Sequence, residues 1–195
     1  MVRSNLLVSG SNRRIFTVDR HAGVAFAGWD ADGRPLADVA LQESVSYKYM
    51  FGVPIPPHEL AERLARYMHW YTCEGYVRPY GASLLVAAYD EHEKQAFLHL
   101  VEPSGVQYRY RGCSAGKARP TVKTEIEKLN LETLTCREAL KHVARIVRLV
   151  HEEDKDKAFE LEASWVCAES GWKHALVPAD LRTEADAWAK RKLDE

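Results

Sequence analysis

The chain has 195 residues, of which 46% are hydrophobic and 28% are charged, and both fractions are those of an ordinary globular protein with one substantial core. Its 27 basic and 28 acidic residues leave a formal net charge of -1, which generates no field that would attract nucleic acid or an anionic membrane. No run approaches the roughly 18 apolar residues that a membrane-spanning helix needs. We therefore expect a single domain over residues 1–195, with no nucleic-acid or membrane partner.

The first part of the chain predicts a β-hairpin followed by two helices. The runs "RIFTVD" (14–19) and "AGVAFAGW" (22–29) are short and apolar, which is typical of two buried strands joined by a tight turn. Turn-forming residues continue to Pro35, so a first helix is predicted after this proline. A second helix is predicted in "IPPHELAERLARYMHWYTCEGY" (55–76), whose prolines suit a first turn. Its buried face is expected to carry Leu60, Leu64, Met68 and Tyr71.

The remaining patterns predict an antiparallel meander, two helices, a strand and a last helix. Short turns separate the three strands of the meander. Thr135 and Glu138 are spaced as a capping box at the start of the second of the two helices. In chain order the segments are "GASLLVAAYD" (81–90), "KQAFLHLVEP" (94–103), "GVQYRYRG" (105–112), "TVKTEIEKLN" (121–130), "TCREALKHVARIVRLVHEE" (135–153), "AFELEASWVCAE" (158–169) and "PADLRTEADAWAKRK" (178–192).

The segment "GCSAGKA" (112–118) is similar to a phosphate-binding loop but departs from it at two points. Such a loop requires G-x-x-x-x-G-K followed by Ser or Thr, because successive amides wrap the phosphates and the hydroxyl holds magnesium. Here one residue too few separates Gly112 from Gly116, and Ala118 follows the lysine. We therefore expect no nucleotide. Each glycine is expected to permit a positive φ or a close approach where a strand turns into a helix.

The cysteines and histidines give no pattern of a metal centre. The four cysteines lie far apart at positions 73, 113, 136 and 167, with no C-x-x-C pair and no neighbouring histidine pair at ligand spacing. The eight histidines are scattered singly. Buried, reduced thiols are expected, and no cofactor or metal ligand is predicted.

Two motifs give the chain a specific resemblance to a known family. The segment "EPSGVQYRYRGCSAGKARPTVKTEIEKL" (102–129) resembles the signature of proteasome α-type subunits, in which an acidic-Pro-Ser-Gly turn leads through a strand to Ala-x-Gly and a helix. The segment "VRPYGASLLVAAYD" (77–90) resembles the Arg-Pro-aromatic-Gly element that distinguishes α subunits from their catalytic β relatives. The similarity runs from about Gly10 to the end of the chain. The matching motif residues are Arg78, Pro79, Tyr80, Gly81, Pro103, Ser104, Gly105, Gly112 and Gly116.

The resemblance implies an α+β fold, the αββα sandwich of N-terminal-nucleophile hydrolases, in which two antiparallel sheets lie between helix layers. The predicted order of elements agrees with it, because helix pairs after the hairpin and after the meander would cover opposite sheet faces. Family members also carry an N-terminal gating segment and two further strands, and "MVRSNLLVSG" (1–10) matches neither. The chain is therefore expected to lack this first part of a usual subunit. An incomplete gene model, a variant with a shortened gate and a degenerate paralogue outside the ring are the alternatives.

Catalytic members of this fold use an N-terminal Thr, Ser or Cys whose own α-amine acts as the base. Cleavage between Gly10 and Ser11 would expose such a residue. The aspartate and lysine of the catalytic relatives would then fall at Ala27 and Glu43, and neither matches. We therefore predict no catalytic residue. A free-standing hydrolase that uses Ser11 and a proteasome assembly or regulatory paralogue remain as alternatives.

The resemblance implies a structural subunit of the 20S proteasome, in a seven-membered α ring stacked on the ring of β subunits. Its expected roles are ring assembly, gating and the docking of activators in ubiquitin-dependent protein degradation, in cytoplasm and nucleus. The first two helices and the strand-end loops are expected to pack against neighbouring subunits. Tyr47, Tyr49 and Trp70 are candidate contact residues, with ordinary core or surface aromatics as the alternative.

Neighbouring α subunits of the family form pockets that receive the C-terminal tails of proteasome activators. The lysine that pairs the tail carboxylate matches Arg14, whose guanidinium can pair a carboxylate through two parallel bonds. The glycine of that pocket matches Gly28, and Trp29 stands where a smaller aliphatic residue is usual. Either the indole narrows a tail pocket, or this is a surface arginine beside a core tryptophan.

Overall fold

The chain divides into two compact units in a computed structural model that describes residues 6, 8, 10–152 and 160–194. The sheet unit comprises Arg14–Lys117 and Ser164–Ala175, and the helix unit comprises Met1–Arg13, Ala118–Ala163 and Leu176–Glu195. The single domain expected over residues 1–195 stays a prediction.

The centre of the sheet unit is an antiparallel sheet that has five strands among the described residues, in the order β1-β2-β3-β4-β5. Each strand pairs with its neighbours in sequence, so the predicted hairpin and meander are both confirmed. One row across the sheet places Phe16 beside Val24, Val24 beside Val86, and Val86 beside His99. The strands are β1 (Ile15–Asp19), β2 (Ala22–Gly28), β3 (Ala82–Asp90), β4 (Gln95–Val101) and β5 (Gln107–Tyr110).

Helices α1 (Asp30–Phe51) and α2 (Pro57–Cys73) pack on this sheet. The predicted inner face of α2 is confirmed at Leu60, Leu64 and Met68, which are fully buried. On β3, alternate side chains from Ala82 to Asp90 are buried, as expected for a strand with one face in the core. The core of the sheet unit therefore lies between this sheet and these two helices.

The start of α1 differs from the prediction, because the helix begins at Asp30 and contains Pro35. Gly33 is required inside the helix, since a Cβ there would lie 2.1 Å from the ring of Phe26 on β2. Asp30 and Asp32 lie in the first turn, where the helix dipole stabilises carboxylates. Residues typical of a turn are thus used here to bring a helix start close to a strand.

Helices α3 (Arg119–Glu127), α4 (Cys136–Glu152) and α5 (Ala179–Asp194) belong to the helix unit, and all three were predicted. The capping box before α4 is confirmed: the Thr135 amide donates to Glu138 Oε2 at 2.9 Å, and the Glu138 amide donates to Thr135 Oγ1 at 3.3 Å. Helices α4 and α5 pack through small side chains and through a two-bond ion pair between Arg148 and Asp186. The small side chains are Ala144, Ala185 and Ala189.

The strand predicted over 158–169 is wrong over most of its described length. Regular strand structure is confined to β6 (Ser164–Trp165), which pairs with the unpredicted β7 (Ala175–Leu176), and residues 158 and 159 lie outside the described residues. The chain turns after β6 because the Cys167 carbonyl accepts the amides of Ser170 (3.1 Å) and Trp172 (2.8 Å). A run of alternating residues therefore ends here in a turn.

Within the described ranges, no helix has both the length and the apolar character to cross a membrane.

Candidate functional site

A buried carboxylate, Asp32, joins the start of α1 to the segment that enters β3. Its two oxygens accept hydrogen bonds from Arg78 Nη1 and Nη2, each at 2.7 Å, and Oδ2 also accepts the Gly81 amide at 2.7 Å. The side chain of Asp32 is 7% exposed, whereas that of Arg78 is 59% exposed. The Arg-Pro-aromatic-Gly element thus holds a helix start through its first and last residues.

The electrostatics of this pair follow from its geometry. The bonds from the Arg78 guanidinium hold the pKa of the Asp32 carboxyl below its ordinary value, against the opposing effect of burial. The same bonds raise the pKa of Arg78. Asp32 is therefore charged at neutral pH and acts as a structural acceptor.

Gly28 and Gly81 bring two backbones into direct contact beside this pair. Gly28 has a φ of +140°, and a Cβ there would lie 2.2 Å from the Gly81 carbonyl oxygen. That oxygen accepts the amide of Trp29 at 3.1 Å. Any side chain at position 28 would both strain the backbone and separate β2 from β3, so only glycine fits.

The structure brings the three predicted pocket residues together at the end of the first hairpin. Arg14 donates from Nη1 to the Gly28 carbonyl oxygen at 3.1 Å, and its Nη2 lies 2.8 Å from Asp30 Oδ1. The next residue, Trp29, is 66% exposed, with the Arg78 guanidinium 5.5 Å from its ring centroid. The alternative that placed Trp29 in the core is therefore wrong.

The Pro103-Ser104-Gly105 turn, a family motif in the sequence, packs on α2. Gly105 has a φ of +84°, and a Cβ there would lie 2.4 Å from the Cβ of His69. The Ser104 carbonyl oxygen accepts a hydrogen bond from His69 Nδ1 at 3.0 Å. This glycine is thus needed for a turn in the left-handed region and for close approach to a helix.

In the loop from Gly112 to Gly116, one of the two glycines has the positive φ that was expected of both. Gly116 has a φ of +109°, whereas Gly112 does not adopt a positive φ. The loop leads from β5 towards α3, which begins at Arg119. The expectation of a positive φ is thus confirmed at Gly116 alone.

Aromatic side chains continue from the Arg78 element along α2. Tyr80 donates from its hydroxyl to that of Tyr67 at 3.4 Å, and the hydroxyls of Tyr67 and Tyr71 are 3.3 Å apart. Burial raises the pKa of Tyr80, and the bonds to its tyrosine neighbours add to the effect. The Tyr80 phenol is therefore neutral at physiological pH, and the three side chains join α2 to the entry of β3.

The structure also locates the residues of the alternative catalytic hypothesis. Ser11 is exposed, and its amide donates to the Val8 carbonyl oxygen at 3.1 Å. Glu43, which stands where the catalytic relatives have lysine, pairs with Arg63 at 3.0 Å. Ser11 thus takes part in a turn, and Glu43 takes part in an ion pair.

The thiols are only partly as predicted. None of the four cysteines is in a disulfide, but Cys73 and Cys136 are exposed and Cys113 is half-buried, so burial is correct for Cys167 alone. In the part of the chain that the structure describes, no three His, Cys, Asp or Glu side chains are grouped to hold a metal ion.

Asp32 is the site residue that sequence reasoning missed. It lies in "DADGRP", which has the composition of an exposed turn, and its partner Arg78 is 46 residues away. The signal in the sequence was that a motif arginine needs an acidic partner and that carboxylates are favoured at the start of a helix. A single sequence offers several such acids, so the partner could not be chosen.

Comparison with known proteins agrees with this architecture. A family model described as "Proteasome subunit" matches residues 1–166. "Proteasome subunit alpha type-3" of Oryza sativa subsp. japonica is 48% identical over 195 residues, which is 100% of this chain and 78% of the relative. The protein of the same name from Arabidopsis thaliana is 47% identical, with the same coverage of both chains. "Probable proteasome subunit alpha type-7" of Schizosaccharomyces pombe is 40% identical over 194 residues, 100% of this chain and 76% of the relative.

The chain therefore belongs to the proteasome subunit family and has its α+β fold of helices and antiparallel sheets. Within the family it is an alpha-type subunit, and it is similar to the proteins named proteasome subunit alpha type-3. It is a structural, non-catalytic member of the 20S alpha ring, in a protease complex whose catalytic sites lie in beta subunits.

Proposed function

We propose that the chain occupies one position in a seven-membered α ring, stacked on a ring of β subunits, and that it contributes to assembly, gating and activator docking. The observation that carries this proposal is an identity of 46–48% over all 195 residues of this chain to several proteins named as alpha type-3 subunits, of which 78% is covered. We place its work in ubiquitin-dependent protein degradation, in cytoplasm and nucleus. Fluorescent tagging in the source cells tests the location.

An exposed apolar ridge on α1 supports a role in assembly. Leu41, Val45 and Tyr49 follow one another at four-residue spacing and are 44%, 60% and 90% exposed. Met50 and Phe51 extend the ridge at the end of the helix. Contiguous apolar surface of this kind is typical of a subunit contact.

The three aromatic residues predicted to contact neighbouring subunits differ in their exposure. Tyr49 belongs to the ridge and Trp70 is 45% exposed on α2, so both are accessible to a neighbour. Tyr47 is half-buried against the core, with the Arg63 guanidinium 5.2 Å from its ring centroid. Tyr47 therefore supports the helix, and Tyr49 and Trp70 are the residues that we propose to contact other subunits.

Incorporation into particles tests the assembly proposal. Val45→Glu with Tyr49→Glu should abolish co-sedimentation with 20S-sized particles, because charges would enter a desolvated contact. The control, Gln42→Glu with Ser46→Glu, adds the same charge to exposed polar positions on α1 and should still incorporate. Equal incorporation of both pairs would show that the ridge makes no subunit contact.

We also propose that Arg14, Gly28 and Trp29 form this chain's share of a pocket for an activator C-terminal tail. Arg14 supports the proposal because its partly exposed guanidinium is oriented by the Gly28 carbonyl. Asp30 forms an ion pair with the same guanidinium and would compete with a tail carboxylate. The tail must therefore displace Asp30 or share the guanidinium with it. Trp29 offers an exposed aromatic face beside it.

Tail binding is measured on assembled particles with a labelled C-terminal tail peptide and its amidated form. Arg14→Ala should weaken binding of the free-acid peptide by about tenfold and leave the amide unchanged, while Arg14→Lys should retain part of the preference. Asp30→Asn should strengthen binding, because it removes the competing charge. If particles containing Arg14→Ala bind the free acid as tightly as before, the pocket is elsewhere.

A further inference from the structure

The last turn of α2 holds a cysteine and a histidine in contact, away from Asp32 and from the Arg14 pocket. Cys73 is the final residue of the helix and His69 lies four residues before it, so both side chains fall on one face. Cys73 Sγ is 3.4 Å from His69 Nε2, and both residues are exposed. A thiol and a base are therefore in hydrogen-bond contact on an accessible surface.

The backbone fixes which nitrogen of His69 faces the thiol. Nδ1 lies 3.0 Å from the Ser104 carbonyl oxygen, which can only accept, so in the neutral ring Nδ1 carries the proton. Nε2 then has its lone pair available and is directed at Cys73 Sγ. This order of acceptor, oriented imidazole and nucleophile is the arrangement that activates a thiol.

The position of the imidazole is fixed by packing. A Cβ at position 105 would lie 2.4 Å from the Cβ of His69 and 3.0 Å from its Cγ, so no side chain fits there beside the imidazole. Thr72 Oγ1 donates to the His69 carbonyl oxygen at 2.6 Å, which closes the end of the helix around the pair. The base is thus held in place before any reagent binds.

We propose that Cys73 is a modification site that undergoes thiol–disulfide exchange with small disulfides, with His69 as its general base. The Sγ proton passes to His69 Nε2, and Sγ attacks one sulfur of R–S–S–R. A bond from Cys73 Sγ to that sulfur forms as the original S–S bond breaks. The leaving thiolate takes the proton from the imidazolium, so Cys73 is oxidised to a mixed disulfide and one R–S group is reduced to R–SH.

The position of Cys73 makes His69 necessary. A thiolate at the C-terminus of a helix faces the negative end of the helix dipole, which disfavours the anion. A neighbouring imidazolium offsets this effect at a distance of one hydrogen bond. Removing the base should therefore leave Cys73 no more reactive than an ordinary exposed thiol.

The test uses the full chain, fully reduced, with a symmetrical aromatic disulfide that releases a coloured thiol. Substoichiometric reagent, alkylation of the remaining thiols and peptide mass spectrometry give separate rates for Cys73 and the exposed Cys136. We expect Cys73 to react at least about tenfold faster than Cys136. Oxidised glutathione should give the same order of reactivity at lower rates.

Two comparisons distinguish activation of Cys73 by His69 from the effect of simple exposure of the thiol. His69→Asn keeps a donor for the Ser104 carbonyl but removes the base, and it should reduce the Cys73 rate to that of Cys136 or below. In concentrated urea the preference for Cys73 should disappear, which tests the folded arrangement even if His69→Asn does not fold. Equal rates for the two thiols in the folded chain, an unchanged rate in folded His69→Asn, or a preference that persists in urea would each overturn the proposal.

Discussion

Substitution of Asp32 by alanine should destabilise the chain because it removes the acceptor that joins α1 to the entry of β3. The Gly81 amide loses a 2.7 Å bond to a charged acceptor, which is worth about 1.5–3 kcal/mol. The two bonds from Arg78 add little to this, since its side chain is 59% exposed and water replaces the carboxylate. We expect a total loss of about 2–3 kcal/mol in the free energy of unfolding.

Urea unfolding and thermal scanning of Asp32→Ala measure this loss. For a chain of this length it corresponds to a fall in Tm of roughly 5–10 °C. Asp38→Ala is the matched control, because Asp38 is an exposed carboxylate on the same helix and its loss should change stability by less than about 0.5 kcal/mol. Equal midpoints for the two variants would refute the view that Asp32 secures this junction.

Further outcomes follow from the same contacts. Folding lowers the pKa of Asp32, so its contribution to the free energy of unfolding is fully present above the ordinary aspartate pKa of about 3.9 and is lost as the pH falls through its folded pKa. In urea titrations at acid pH, the difference in stability between the parent chain and Asp32→Ala should therefore shrink. Gly105→Ala should lower the free energy of unfolding in urea by at least about 2 kcal/mol, because the residue has a positive φ and a Cβ there would clash with α2. Gly75→Ala is the control: its Cβ would meet no neighbouring atom, and it should lower stability by less than about 0.5 kcal/mol. Thr135→Ala removes a helix cap and should lower stability by about 1 kcal/mol, with faster amide exchange confined to the start of α4; unchanged exchange there would contradict the cap's role.

Elements with strong local signals were predictable from the sequence. The apolar runs of β1 and β2, the four-residue spacing of Leu60, Leu64 and Met68, and the capping box at Thr135 each depend on residues close in sequence. The family motifs also pointed to real features, since Gly105 and Gly116 have the positive φ that makes glycine necessary. In these cases local chemistry and the final fold agree.

The remainder required the tertiary structure. Gly33 and Pro35 have the composition of a turn, and only contact with Phe26 explains why glycine lies within α1. The partner of Asp32 is set by the approach of β3, which no periodicity in the sequence reports. Burial of the cysteines failed as a prediction because Cys73 ends a helix at the surface.

The ridge on α1 also has a consequence for the chain before it reaches a partner. A newly made copy displays Tyr49, Met50 and Phe51 to solvent, and these side chains would associate with any apolar surface that they meet. Supply of this chain and of its neighbours must therefore stay matched, since an excess copy is exposed to aggregation and to quality control. The ridge that suits the chain to an assembly thus makes its lifetime depend on the abundance of other chains.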